Sequence, residues 1–218
     1  MVWHKLKQNL NRIPSWLLRG YLMLFVILYL YQGDVVASII FSIMFMVSIL
    51  PIIVDGLYNI RLHWFHDLAF TFLIFAHMAG FSGFYNAFPL WDDISHVIGI
   101  SIVNLIGFSF IYSYELNGRI KLTLPMVAFF SACFAMAIGG VWEISEFIWD
   151  NLILFSINYG FAQNGLLDTM LDLTWDFSGS IVSSLLMLYY IRNASEKSKE
   201  KFFQPFVKMV SSKKGIEN

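Results

Sequence analysis

Residues 91–114 read WDDISHVIGISIVNLIGFSFIYSY. Two aspartates and a histidine crowd the first six positions, and no charged side chain follows in the rest. A bilayer core about 30 Å thick asks for ~20 apolar residues in a helix rising 1.5 Å per residue. This stretch meets that requirement and carries its polar chemistry at one end. It predicts a membrane-spanning helix with a functional head.

Working outward, five further apolar segments appear, at about 16–32, 35–54, 66–85, 123–149 and 168–191. Segments one, two and four have too few polar positions for any wet face, which excludes core helices of a soluble protein. The composition agrees: 58% of the 218 residues are apolar, 13% are charged and the mean hydropathy is +0.65. Soluble domains carry about 25% charged residues. The predicted fold is therefore all-α, an integral membrane bundle of six transmembrane helices over residues 1–192, followed by a basic cytoplasmic tail at 193–218. The N-terminus lacks the short apolar core and small-residue cleavage site of a signal peptide. The first apolar run is expected to remain as a signal anchor. Cys133 is the one cysteine, so no internal disulfide can form.

The fourteen bases fix the orientation. Lys5, Lys7, Arg12 and Arg19 precede or open segment one; Arg61 lies in the second connection; Arg119 and Lys121 lie in the fourth. Arg192, Lys197, Lys199, Lys201, Lys208, Lys213 and Lys214 close the chain. The odd-numbered connections hold none. By the positive-inside rule both termini are cytoplasmic, in a cell inner membrane. The aromatic residues Phe202, Phe203 and Phe206 among the terminal bases fit either a segment lying on an anionic leaflet or a disordered tail. The apolar run 152–157 in the longest outer connection is expected on the interface. Membrane lipids are the expected partners, and nothing points to nucleic acid.

That orientation gathers three acidic motifs on the outer face: WDDISH (91–96), WEISE (142–146) and DTMLDLTWD (168–176). Residues three or four apart share a helix face. Asp92 and His96 therefore form one stripe, Glu143 and Glu146 a second, and Asp168, Asp172 and Asp176 a third. The helix dipole accounts for acids at an N-terminus, such as Asp92, Asp93 and Asp168, but opposes Glu143 and Glu146 at a C-terminus. Asp176 lies ~24 Å from Arg192 along a helix. If Arg192 marks the inner boundary, Asp176 stands inside the hydrocarbon, where an ionised carboxylate costs a few kcal/mol. Protonation, a watery cavity or a bound cation would relieve that cost. Carboxylates with one imidazole suit Mg, Mn, Ca, Zn or ferrous iron, and the sequence does not choose among them.

Other groups compete with this reading. His77, in the outer half of the third segment, either reaches the same cavity or is a hydrogen-bonded interior histidine. His63, His66 and Asp67 form either an inner metal site or, with Trp64, an interfacial belt. Trp91, Trp142, Trp149 and Trp175 fall where an outer aromatic belt should lie. Ser95, Ser145 and Ser178 neighbour acids but lack the Gly-x-Ser-x-Gly turn of a nucleophile.

On these motifs the chain resembles a family of uncharacterised prokaryotic inner-membrane proteins typified by YjdF. The family's aromatic-Asp-x-x-x-His motif stands here as Trp91-Asp92-Asp93-Ile94-Ser95-His96, with Gly99 or Gly107 beyond. Its Glu-x-x-Glu motif stands as Glu143-Ile144-Ser145-Glu146 after Trp142, and its Asp-Thr-x-x-Asp motif as Asp168-Thr169-Met170-Leu171-Asp172, with Gly179 following. Leu73-Ile74-Phe75-Ala76-His77 is similar to the family's third helix. Leu167 departs from it, where members tend to carry Trp. The resemblance covers roughly residues 60–185. It implies a six-helix membrane protein and brings no assigned activity.

Two functions follow as expectations. The first is a membrane enzyme that binds a divalent metal through Asp92, His96, Glu143, Asp172 and Asp176. Glu146 or Asp168 would be its general base, and a lipid or envelope precursor its substrate. The alternative is a cation- or proton-coupled transporter with the acids as an outer vestibule. The almost wholly apolar stretches 102–111, 126–134 and 181–188, broken by Asn104, Ser109, Ser131 and Ser184, speak against a continuous path.

Overall fold

The computed structural model describes residues 11–58, 60, 62–154 and 165–212. Its principal helices are α1 (Ile13–Gln32), α2 (Val35–Ser48), α3 (Leu50–Leu57), α4 (Trp64–Ala79), α5 (Trp91–Leu116), α6 (Leu124–Ile148), α7 (Leu166–Asn193) and α8 (Glu196–Ser212). No strand occurs among the described residues. Five runs are long and apolar enough to cross a bilayer: Ile13–Gln32, Val35–Leu57, Trp64–Ala87, Trp91–Leu116 and Leu124–Asn151. The chain is an all-helical, multi-pass membrane protein. α7 has the length of a span, but Asp168, Asp172 and Asp176 in its first turns make it less apolar than these five. Lys5, Lys7, Arg61, Lys213 and Lys214 lie outside the described residues, as do residues 155–157 of the run 152–157. The chain divides into two compact units, Met1–Trp91 with Lys197–Asn218, and Asp92–Glu196.

In the first unit α1 and α2 form a hairpin. Gly33 ends α1 in the left-handed region at φ 79°, and Asp34 caps α2 by accepting from the Ala37 N–H at 3.0 Å. This is the tight turn expected at Gln32-Gly33-Asp34. Leu22, Val26, Phe41 and Met78 close into a core, with the Phe25 and Phe41 rings stacked at 5.4 Å. The second apolar segment is broken at Ile49. Pro51 has no N–H for the preceding turn, and the Ile52 N–H turns to the Ile49 carbonyl at 2.9 Å.

Arg19 occupies that break. The sequence reads it as a base flanking segment one, but its side chain is fully buried. Its Nε and Nη2 donate to the Ser48 carbonyl at 3.2 and 2.7 Å, at the C-terminus of α2 where a cation is favoured. Nη2 also donates to Asp67 Oδ1 at 2.7 Å and Thr71 Oγ1 at 2.9 Å. One guanidinium thus ties α1 to α2 and α4. α4 runs on into a π-helical turn at Gly80–Phe84, where Gly83 takes φ 122° and a Cβ on Gly80 would strike the Tyr85 ring. The terminal basic segment is a helix, α8. It buries Phe203, Phe206 and Val210, and its Phe202 and Phe206 rings lie 4.4 and 5.0 Å from that of His66.

In the second unit α5, α6 and α7 bury their small and polar residues and expose their large apolar ones. Asn104, Ser131, Ser180, Ser183 and Ser184 are inside, while Phe129, Val141, Phe177 and Leu186 are exposed. That inversion is what a lipid solvent selects. Asn104 Nδ2 donates to the Ser180 carbonyl at 2.9 Å and to Ser183 and Ser184 Oγ at 2.7 and 2.8 Å, pinning α5 to α7. Gly179 brings α7 so close that an added Cβ would lie 2.8 Å from the Val97 carbonyl oxygen. α5 ends where Gly118, at φ 65°, donates to the Glu115 carbonyl at 2.8 Å.

Candidate metal centre

The three acidic motifs lie on three helices of one unit. α5 supplies Asp92 and His96 one turn apart, α6 supplies Glu143 near its last turn, and α7 supplies Asp172 and Asp176 one turn apart. Period 3.6 turns each pair to one face. Glu143, Asp172 and Asp176 are buried, and Asp92 is half-buried.

His96 is the hub. Its Nδ1 lies 3.1 Å from Asp176 Oδ1. Its Nε2 lies 3.7 Å from Asp172 Oδ1 and 3.9 Å from Glu143 Oε1. The two ring nitrogens therefore face different carboxylates. When Nδ1 carries the proton it donates to Asp176, and Nε2 offers its lone pair toward Asp172 and Glu143. Asp176 can stand there because Gly139 has no side chain: a Cβ at Gly139 would occupy the position of Asp176 Oδ2.

Asp92, His96 and Asp172 each present one ligand atom, all within 4.8 Å of one another. Metal–ligand bonds of 2.0–2.2 Å hold donor atoms about 3–4 Å apart, so small side-chain rotations would close this group on an ion. Three anionic or neutral donors of this type fit a divalent cation. Asp176 is paired with Nδ1, on the far side of the ring from Asp172. Glu146 and Asp168 are partly exposed. The charges of Glu143, His96, Asp92 and Asp172 act on Glu146, and that of Asp168 acts on Asp92, Glu143 and Asp172.

The other candidates have contacts of their own. His77 Nδ1 and the Tyr85 hydroxyl are 3.4 Å apart in the first unit, a hydrogen-bonded histidine. Asp67 is held by Arg19, and His66 is buried among aromatic rings with no hydrogen bond at either nitrogen, which does not favour the inner-site alternative for His63, His66 and Asp67. His63 instead caps α4, accepting from the Phe65 N–H at 3.4 Å. Ser95, Ser145 and Ser178 donate to carbonyls of their own helices. Gly139 and the Asn104 cluster were not singled out by spacing. The Gly139-Gly140 pair just before Trp142 was the available signal.

A family model described as "Predicted membrane protein (DUF2238)" matches residues 13–193. A Thermotoga maritima protein described as uncharacterised is 31% identical over 108 residues, 49% of this chain and 53% of the relative. The chain thus spans about half the length of that curated relative. No solved structure matches.

Proposed function

We infer, for a chain that belongs to the DUF2238 family of predicted membrane proteins, that the Asp92–His96–Asp172 pocket binds a divalent cation in a membrane enzyme acting on a lipid or envelope precursor. In this reading α7 is the sixth span, both termini are cytoplasmic, and the pocket opens at the outer face of the inner membrane. The one-sided distribution of Lys and Arg supports that orientation.

The observation that carries the reading is the two-faced coordination of His96. Asp176 at Nδ1 fixes the ring, and Nε2 meets Asp172 and Glu143. A carboxylate–histidine pair of this kind orients a metal-binding nitrogen and raises its basicity. Asp92, His96 and Asp172 would hold the ion with Glu143 beside them, and Asp176 would position His96. Glu146 or Asp168, at the exposed edge, would accept the proton from the attacking group. A divalent ion supplies polarisation of a phosphoryl or acyl oxygen and a more acidic water.

The test is metal content. Protein purified in detergent and equilibrated with Mn2+ or Zn2+ should retain about one ion per chain, a count set by the one three-ligand group among the described residues. Asp172→Asn should lose it. A folded wild-type protein that retains neither Mn2+, Zn2+, Mg2+, Ca2+ nor Fe2+ would end this proposal.

The transporter reading has one observation in its favour. Ser180, Ser183, Ser184 and Asn104 extend the buried polar surface beyond Asp176 by two turns, ~12 Å. Met187 and Ile191 then close the buried face of α7 with apolar side chains. Flux into proteoliposomes driven by a proton gradient would favour transport over chemistry.

A further inference from the structure

The His96 ring is held at both ends. At its outer edge Nδ1 lies 3.1 Å from Asp176 Oδ1, and Asp176 is itself boxed against Gly139, where no Cβ fits beside Oδ2. At its base the backbone is fixed where α5 crosses α7. A Cβ on Gly179, one turn beyond Asp176, would lie 2.6 Å from Ile100 Cγ2 and 2.8 Å from the Val97 carbonyl oxygen. Ser101 Oγ donates at the same level, to the Val97 carbonyl at 2.6 Å and to the Gly179 carbonyl at 3.3 Å. One turn on, Asn104 Nδ2 donates to the Ser180 carbonyl at 2.9 Å. Val97 is pinned by this crossing, which leaves the neighbouring Cα of His96 little freedom, and the bond at Nδ1 leaves its side-chain torsions little more.

A ring so held keeps Nε2 facing Asp172 and Glu143, at 3.7 and 3.9 Å. The carboxylates of Asp92 and Asp172 can rotate toward an ion, but the imidazole cannot swing out of its way. Any ion that takes those two acids must take the nitrogen with them. That requirement sorts cations. Mg2+ and Ca2+ are hard ions served by oxygen. Zn2+, Fe2+ and Co2+ accept imidazole readily. Asp176 adds to the bias, because a carboxylate at Nδ1 makes Nε2 the stronger base. We propose that the centre takes a first-row transition ion through an unavoidable bond to His96 Nε2 and discriminates against Mg2+ and Ca2+, with Asp176 as the positioning residue. This selectivity presupposes the metal reading of the Asp92–His96–Asp172 pocket and names its class of ion. Carboxylates alone would serve either class, so the choice lies in the fixed ring.

Competition between ions tests it. The full-length protein in detergent would be stripped with a chelator, equilibrated with equimolar Zn2+, Mg2+ and Ca2+, desalted, and its retained ions counted. Zn2+ should exceed each of the others by about tenfold or more. His96→Asp puts an oxygen in place of the nitrogen and should remove that excess. Asp176→Asn reads the same point by a gentler change. It should cost about 10–100-fold in Zn2+ affinity and leave Ca2+ nearly unaffected. Co2+ supplies a spectroscopic signature. Proton NMR of the Co2+-loaded protein should show one strongly displaced, exchangeable imidazole N–H, that of His96 Nδ1, and it should exchange with water faster in Asp176→Asn. Retention of Mg2+ or Ca2+ at the level of Zn2+ would overturn the selectivity and leave the metal reading standing. So would a Co2+-loaded protein without that resonance, or an equal loss of Zn2+ and Ca2+ in Asp176→Asn. Retention of no ion at all by folded protein, with helicity checked by circular dichroism, removes the metal reading itself.

Discussion

Asp176 stands in the space that a side chain on Gly139 would fill, and from there its Oδ1 reaches His96 Nδ1 at 3.1 Å. The position of the imidazole thus depends on a missing Cβ on the next helix, α6. Gly139→Ala should push the Asp176 carboxylate off the ring and weaken divalent-metal binding by about 10–100-fold, the usual effect of losing an orienting partner. Gly140→Ala is the control, since a Cβ there has nothing within 4 Å. Isothermal titration of the purified variants with Mn2+ checks the pair. Equal loss in both would mean that helix packing, not the carboxylate seat, is what the glycines serve.

The same geometry separates Asp176 from Asp172. Asp176→Asn keeps an oxygen that can accept from His96 Nδ1, but removes the charge that holds the proton there. It should cost about 10–100-fold in metal affinity. Asp172→Asn removes an ionic donor on the Nε2 side and should cost more than Asp176→Asn. The reverse order would make Asp176 the ligand and Asp172 the support.

The acidic stripes were legible in the sequence because helical spacing alone turns residues three or four apart to one face. The same spacing could not say which nitrogen of His96 each acid would meet, since that depends on how α5, α6 and α7 rotate against one another. Gly139 and Gly179 set those rotations through close approach, and a glycine in a sequence does not announce its neighbour. The all-helical membrane class followed from hydropathy. The burial of Arg19 was not legible, for a physical reason. Positive-inside counting treats every base near a span as a flanking charge, whereas this one is neutralised by Asp67, 48 positions later, and by a carbonyl at the α2 break. The docking of α8 was hidden because a basic amphipathic segment reads the same whether its apolar face meets lipid or protein.

The Arg19–Asp67 pair makes an unequal prediction for single and double variants. Both side chains are fully buried. Removing one partner strands the other charge, so Arg19→Met or Asp67→Asn alone should destabilise the protein by about 3–5 kcal/mol. Arg19→Met combined with Asp67→Leu should recover much of that loss, because no buried charge remains. Thermal unfolding in a mild detergent, followed by circular dichroism, reads all three. An additive loss in the double variant would mean that the Ser48 carbonyl, not Asp67, is the partner that matters.

His63 gives the docking of α8 a pH dependence of defined sign. Burial pushes its pKa below the ordinary 6.5, and the charge of Lys201 on α8 pushes the same way. The His66 ring, 6.2 Å away, is the other titratable group beside it. A histidine whose pKa is lowered by folding binds fewer protons folded than unfolded near its ordinary value. The stability it contributes is therefore complete above about pH 6.5 and falls as the pH drops through that value and below. Hydrogen exchange along Glu196–Ser212 should quicken on acidification in that window. Lys201→Gln removes one of the two causes, so His63 should titrate closer to 6.5 in the variant, as read from its imidazole carbon resonance. Part of the acid sensitivity of α8 should go with it. If the resonance titrates identically with Lys201 and with Gln at that position, the coupling between α8 and the start of α4 is not electrostatic, and the aromatic contacts of Phe202 and Phe206 hold α8 without it.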